Sequence, residues 1–385
     1  MSQIEELIEK LCSNGVEWKT LGEVCEMHGR IGWQGLTKKD YRATGKYLLV
    51  TGTDFLSSNK INYNTCVYVD EDRYTQDKYI QLKENDLLIT KDGTIGKLAI
   101  VQDLPMPATL NGGVFVIRDK TKTLDHRFLM YIMASSHFKN QIEKKHTNGT
   151  IKHLTQNLLV SYAIPVPPLE IQTRIVEILD NFTNLTTNLT AELTLRRKQF
   201  EYYREKLLSL DGVEWKTLGD VCVNFDSKRK PITSSNRVSG DIPYYGASGI
   251  VDYVDGYIFD GDYLLISEDG ANLLSRNTPI AFSISGKTWV NNHAHILYFE
   301  NQFNRKFVEY YINNIDLTPY ISDGAQPKLN QANLNRITIP YPSDSIQQSI
   351  VSILDKFSSL IENIETELSL RQKQYEYYRE QLLNF

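Results

Sequence analysis

Three kinds of stretch in this chain carry side chains suited to chemistry. Ser285-Gly286-Lys287-Thr288 has the ending of a phosphate-binding loop, in which glycine N–H groups and a lysine ammonium cradle a phosphate. It fails upstream, because Ala281 stands where that loop needs a glycine and Lys287 falls in a strand-turn context. His293 and His295 alternate at strand spacing, as a pair of zinc ligands would, but no carboxylate pair accompanies them locally. No Gly-rich cofactor fingerprint follows a strand, and no methyltransferase tetrad of the NPPF type is present; Ile164-Pro-Val-Pro-Pro reads as a proline-punctuated exit from a module. The expectation is a chain with no catalytic residues and no metal site.

The third kind is basic loops beside small or amide residues, which suit DNA: Lys and Arg neutralise phosphates, while Asn, Gln, Ser and Arg read base edges. Lys38 and Lys39, and Ser227, Lys228, Arg229 and Lys230, are the strongest candidates for phosphate contact. Tyr244, Tyr245 and Ser248 sit in a glycine-flanked loop able to approach a groove, and equally in an ordinary hairpin. Lys91 and Thr94 in one turn, and Asn272 in its counterpart, follow apolar strands. Lys152, His153, Gln326 and Lys328 precede amide-rich segments whose Asn157 and Asn330 read better as helix capping or packing than as contacts.

Composition narrows the field. With 42 basic and 47 acidic residues the chain carries a formal charge of −5, so it does not grip nucleic acid by bulk positive charge. Cys12, Cys25, Cys66 and Cys222 include no CxxC and support neither a disulfide framework nor a zinc site. The start of the sequence lacks a secretory pattern and no apolar run approaches the roughly 20 residues of a membrane span, so a cytoplasmic protein is expected.

What must position these loops is written twice. GVEWKTLG at Gly15 returns at Gly212, 197 positions on, and RRKQFEYYREKLL at Arg196 returns as RQKQYEYYREQLL at Arg371, 175 positions on. The connectors keep their length while the modules between them differ in size. Apolar residues at Ile171, Ile175, Ile178, Phe182, Leu185, Leu189, Leu193, Phe200, Tyr203 and Leu207 step by threes and fours and recur 175 positions later, including Ile346, Ile350, Ile353, Phe357, Tyr375 and Tyr378. This predicts two long helices of about 37 residues, roughly 55 Å, packed antiparallel as a coiled coil. Tyr202 and Tyr377 are expected to pack between helices or dock a partner. The order of the repeats is circular, which predicts that the N-terminal helix, with Ile4, Leu7, Ile8 and Leu11 on one face, lies beside the end of the C-terminal helix. Short β-rich runs broken by Gly, Asn and Asp give each module a small twisted sheet plus a helix, around 127–143 in the first and 305–315 in the second.

The expected class is α/β (α+β): two mixed modules separated by a pair of long antiparallel coiled-coil helices, pseudo-twofold in arrangement. The segments are 1–14, 15–165, 166–211, 212–341 and 342–385. GVEWKTLG, KRKPI with IPYYGASG, LLISEDGAN, KLNQ ending in IPYP, and the IQ…IV.ILD helix ending in YYRE together resemble the specificity subunit of Type I restriction-modification systems over essentially the whole chain. The first module departs from the pattern, with IKHLTQ in place of KLNQ and a GRIGWQGLTKKDY opening. The resemblance implies that each module is a target recognition domain for one half of a split double-stranded DNA sequence. It also implies that the helices set the gap and dock two methyltransferase subunits, with restriction subunits joined through them. S-adenosylmethionine, ATP and Mg2+ would then belong to partner subunits. The alternatives are a coiled-coil scaffold that binds proteins and an enzyme acting directly on nucleic acid.

Overall fold

The computed structural model describes residues 2–146, 154–322 and 327–385, and the chain divides into two compact bodies. Body one comprises 1–191 and 366–385, and body two comprises 192–365, so each long helix contributes to both.

The central helix, Leu169–Leu208, and the C-terminal helix, Asp344–Leu382, contain neither Gly nor Pro and are preceded by Pro168 and Pro342. The chain leaves the central helix through Gly212 at φ +70°, the repeat partner of Gly15 at φ +85°; both turns need a backbone conformation that a side chain disfavours. Within body two, Arg197 pairs with Glu365 at 2.5 Å and Tyr203 stacks on Phe357 at 5.4 Å between ring centroids, so the helices run antiparallel. In body one Phe182 stacks on Tyr378, also at 5.4 Å. Phe182 and Phe357 are repeat equivalents, as are Tyr203 and Tyr378, so the same aromatic contact is made twice with the copies exchanged.

The buried face of each helix differs from the expected seam. Ile171, Ile175 and Ile350 are buried and Ile178, Phe182, Phe200, Tyr203, Phe357, Tyr375 and Tyr378 partly so, but Leu185, Ile346, Ile353 and Leu360 are exposed. The early turns bury Gln172, Ile175, Val176 and Leu179, and in the second copy Gln347, Ile350, Val351 and Leu354. This i, i+3, i+4, i+7 face packs on each body's own core, and an apolar count misses it because a glutamine occupies one of its positions. Gln172 is fully satisfied: its Nε2 donates to the carbonyls of Thr123 and Pro167, and its Oε1 accepts from Asp125 N–H at 2.8 Å.

Each module is closed at its base by its incoming and outgoing chain. Trp18–Thr20 pairs antiparallel with Ala163–Pro165, and Trp215–Thr217 pairs the same way with Thr338–Pro340. In body one a four-stranded sheet runs Cys25–His28, Val114–Asp119, Leu87–Thr90, Leu98–Ile100 in spatial order, beside a sheet of Val67–Val69, Tyr47–Val50 and Ala108–Leu110. In body two the corresponding sheet is Val223–Asn224, Ala294–Tyr298, Tyr263–Ser267, Ala281–Ile284. Beside it lies a sheet of Gly249–Val254, Ser239–Gly246, Lys287–Val290 and Phe259–Asp260. Central strands are buried on both faces: Leu264 and Ile266 enter one core, Leu265 the other.

The helix expected around 127–143 is broken into His126–Ala134 and Ser136–His146. Ser135 is extended, and its hydroxyl donates to Ile132 O at 2.7 Å while accepting from Phe138 N–H, so it ends one helix and starts the next. At the corresponding place the second module has one unbroken helix, Gln302–Asn314. Both module helices are tied to a long helix in one way: Tyr131 donates to Asp180 at 2.7 Å, and Tyr310 to Asp355, 175 positions on, at 2.6 Å. Burial, reinforced by the neighbouring carboxylate, pushes both phenols far above their ordinary range. Leu7, Ile8 and Cys12 pack against the body-one core that includes Leu382 and Leu383.

Candidate nucleic-acid interface

In body two the strand ends and loops above the four-stranded sheet converge on one buried ionic cluster. Arg229 donates through Nη1 to Glu268 Oε2 at 2.7 Å and to Ala294 O at 2.8 Å, and lies 3.4 Å from Asp226. Lys328 Nζ reaches the other oxygen of Glu268 at 2.9 Å. His295 places Nδ1 2.5 Å from Asp226 Oδ2 and Nε2 2.6 Å from Leu329 O. Both ring nitrogens thus face oxygen acceptors. Burial opposes ionisation of Asp226, but the His295 bond and charge, the Ile296 N–H and Arg229 outweigh it and hold the carboxyl below its usual range. Glu268 is held low in the same way by Arg229 and Lys328 against its own burial.

The expectation that no carboxylate pair lies near His293 and His295 is therefore corrected. Asp226 and Glu268 flank His295, and Asp269 binds His293 Nδ1 at 2.9 Å. These residues lie far apart in sequence and meet only after folding, which is why local sequence conceals them. Ligand atoms of Asp226, Glu268 and His295 lie within 4.8 Å of one another, but those carboxylates already bond Arg229, Lys328 and the imidazole.

The cluster sorts the basic loop. Arg229 points inward and is not a free phosphate ligand, whereas Ser227, Lys228 and Lys230 are exposed on either side, with Lys228 Nζ 4.2 Å from the Phe225 ring. The loop is fixed again where Trp289 Nε1 donates to Lys230 O at 2.5 Å. Tyr244 is likewise corrected: it is buried, and its hydroxyl bonds the backbone of Ile232 rather than facing a ligand. Tyr245 is half-buried and Ser248 is exposed at the hairpin tip, which is fastened where the buried Ser267 hydroxyl donates to Ala247 O. Asn272 closes its own turn, exchanging hydrogen bonds with the Thr278 backbone at 3.0 Å. Asn330 caps the helix Gln331–Asn335. Gln326 lies outside the described residues, as do Lys152 and His153 of the first module.

Body one builds the equivalent place differently. Lys91 stands where Glu268 does and Phe115 where His295 does: Leu154 and Leu329 N–H groups donate to Lys91 and Glu268 carbonyls, and Phe115 and His295 pair with Ile89 and Ile266. The Lys91 ammonium lies 4.6 Å from the centre of the Phe115 ring, a cation–π contact in place of an ion network. Thr94 is exposed, its carbonyl accepting from the Thr90 hydroxyl at 2.5 Å. Lys38 and Lys39 are exposed on a turn held by Asp40, which accepts from Thr37 N–H at 2.8 Å and pairs with Arg73 at 2.9 Å. Burial pushes the thiols of Cys25, Cys66 and Cys222 up to about 12, so none of them is a thiolate nucleophile.

Two bodies of one architecture therefore carry unlike polar loops fastened by unlike cores. The sequence profile of the Type I restriction modification DNA specificity domain matches twice, over residues 14–195 and 211–370. This chain belongs to that family. It is 29% identical to the Escherichia coli type I restriction enzyme EcoR124I/EcoR124II specificity subunit, over 100% of this chain and 97% of that one. A putative type I restriction enzyme specificity subunit of Haemophilus influenzae is 44% identical over 47% of this chain and 49% of its own length, so the chain matches about half of that relative. The crystal structure of a Type I restriction-modification S subunit from M. genitalium shares the fold, with TM-score 0.65 at 18% identity over 97% of both chains. Family membership gives the chain a DNA sequence-specificity role, and the protein-only scaffold is not the reading it favours. Among the described residues no helix is long and apolar enough to cross a membrane.

Proposed function

We propose that the chain reads a bipartite, asymmetric DNA target, one half per body, and that the helical stretch between the readers sets the number of unread bases. The observation that carries this is the duplicated sheet with Lys91 and Phe115 in one copy and Glu268 and His295 in the other, since unlike loops on a common frame select unlike half-sites. Lys38, Lys39, Lys228 and Lys230 fix register on phosphates, and the remaining loop residues choose bases.

The chain itself catalyses nothing in this reading. It docks two methyltransferase subunits, which carry S-adenosylmethionine, and through them restriction subunits, which use ATP and Mg2+. The duplication supports two partners of one kind. In body one Trp18, Leu370 and Tyr377, and in body two Trp215, Leu195 and Tyr202, are each at least half exposed although large and apolar. Trp18 lines a groove of about 380 Å³ with Tyr162, Glu380 and Gln381. A formal charge of −5 also favours partners that supply much of the positive surface around the duplex.

Co-expression with the cognate methyltransferase in a host free of adenine methylation, followed by mapping of methylated adenines, tests the proposal. Two different short motifs at a fixed separation are expected. A palindrome, or one uninterrupted motif, overturns it.

A further inference from the structure

His293 is the residue of body two whose geometry most resembles a base reader. Its backbone is pinned twice: His293 N–H donates to the Asn291 side chain at 2.8 Å, and its carbonyl accepts from Glu268 N–H at 2.9 Å. Its ring is pinned once, with Nδ1 3.0 and 2.9 Å from the two carboxylate oxygens of Asp269. Yet the side chain is 51% exposed. A ring held this firmly while half in water is organised in advance for a ligand on its free edge.

The surroundings supply the ligand's class. Lys328 is bridged to Asp269 through its backbone, Arg229 fastens the Lys228 and Lys230 loop to Ala294, and the Ser248 hairpin tip is tied to Ser267. Asn292, the next residue toward the N-terminus, is also exposed. Three segments distant in sequence, carrying ammonium groups and a hydroxyl, are therefore fastened to Asp269, to Ala294 beside His293 and to Ser267, and phosphate and base edges call for such groups.

We infer that His293 is a specificity-determining residue that reads a base amino group in the major groove, with Asp269 as its positioning residue; this rests on the proposal that body two reads one half-site. The chemistry follows from the neutral tautomer: with Nδ1–H donated to Asp269, Nε2 keeps a lone pair, so the free edge is an acceptor. Adenine N6 and cytosine N4 offer donors to it, whereas guanine O6 and thymine O4 offer only another acceptor.

The test uses the assembled methyltransferase complex and duplexes in which each position of the target is varied in turn. With the native chain, one position of one half-site prefers A or C over G or T on the contacted strand. His293→Ala lowers that preference by about tenfold while leaving the other half-site unchanged. Asp269→Asn weakens the same position. His293→Lys puts a donor in the same exposed place and turns the preference toward G or T, which carries the test should the alanine variant melt early. A base profile identical to the native one, or a uniform loss at every position, overturns the inference. A native complex with no sequence preference fells the underlying proposal as well, whereas native preference untouched by all three variants sinks this inference alone.

Discussion

Lys228, Arg229 and Lys230 are consecutive and equally charged, yet burial gives them different work. Arg229→Ala removes one partner from each of Glu268 and Asp226, which keep Lys328 and His295, and is expected to cost about 1–3 kcal/mol in denaturant unfolding. Lys228→Ala and Lys230→Ala should stay within about 0.5 kcal/mol of the native stability. Each should instead weaken all duplexes alike and reduce the salt dependence of binding by about one ion. The ionic cluster also sets an acid limit. Asp226 and Glu268 titrate below their ordinary values of 3.8 and 4.5, so the stability they contribute is complete above that range and is lost as pH falls through the lowered values. Thermal melts taken from neutral pH downward should show this loss, and Glu268→Gln should make it shallower. Sequence alone showed the basic tripeptide and the alternating histidines but not which way each points. The partners that decide it, Asp226 and Asp269, are 69 and 24 residues away from His295 and His293.

At the scale of elements, the repeat offsets and the freedom from Gly and Pro made both long helices legible, and the antiparallel aromatic contacts fall on residues the periodicity picks out. The face packed on each body was not legible, because its first position is a glutamine that hydrogen-bonds rather than an apolar residue. Gln172→Leu should leave the part-buried Asp125 N–H and the Thr123 and Pro167 carbonyls without this partner and lower stability by about 1–3 kcal/mol, measured by chemical denaturation. The break at Ser135 was hidden for a related reason: a serine hydroxyl that serves both helix ends looks like any polar residue in the middle of a helix. Inserting four helical residues at Thr190-Ala191-Glu192-Leu193 lengthens the central helix by about 6 Å. Methylome mapping should then show the gap widened by about two base pairs with both half-sites intact. An unchanged gap would count against the helix as spacer.

For the molecule as a whole, duplication was the clearest signal in the sequence, and the aromatic contact made once in each body with the copies exchanged is its structural counterpart. Trp18→Ala and Trp215→Ala should each remove one methyltransferase from the complex, and the double variant both, as read from the mass of the purified assembly by light scattering. What the sequence concealed was how differently two matching sheets are fastened, since that depends on side chains meeting across strands. The short ladders joining Trp18–Thr20 to Ala163–Pro165 and Trp215–Thr217 to Thr338–Pro340 have a modular consequence. Each module begins and finishes at one short two-stranded ladder, and the two modules share near-identical amino-acid stretches at their borders. Exchange of one module for another between these borders would leave both long helices as they are, and under the reading proposed above it would change one half-site alone.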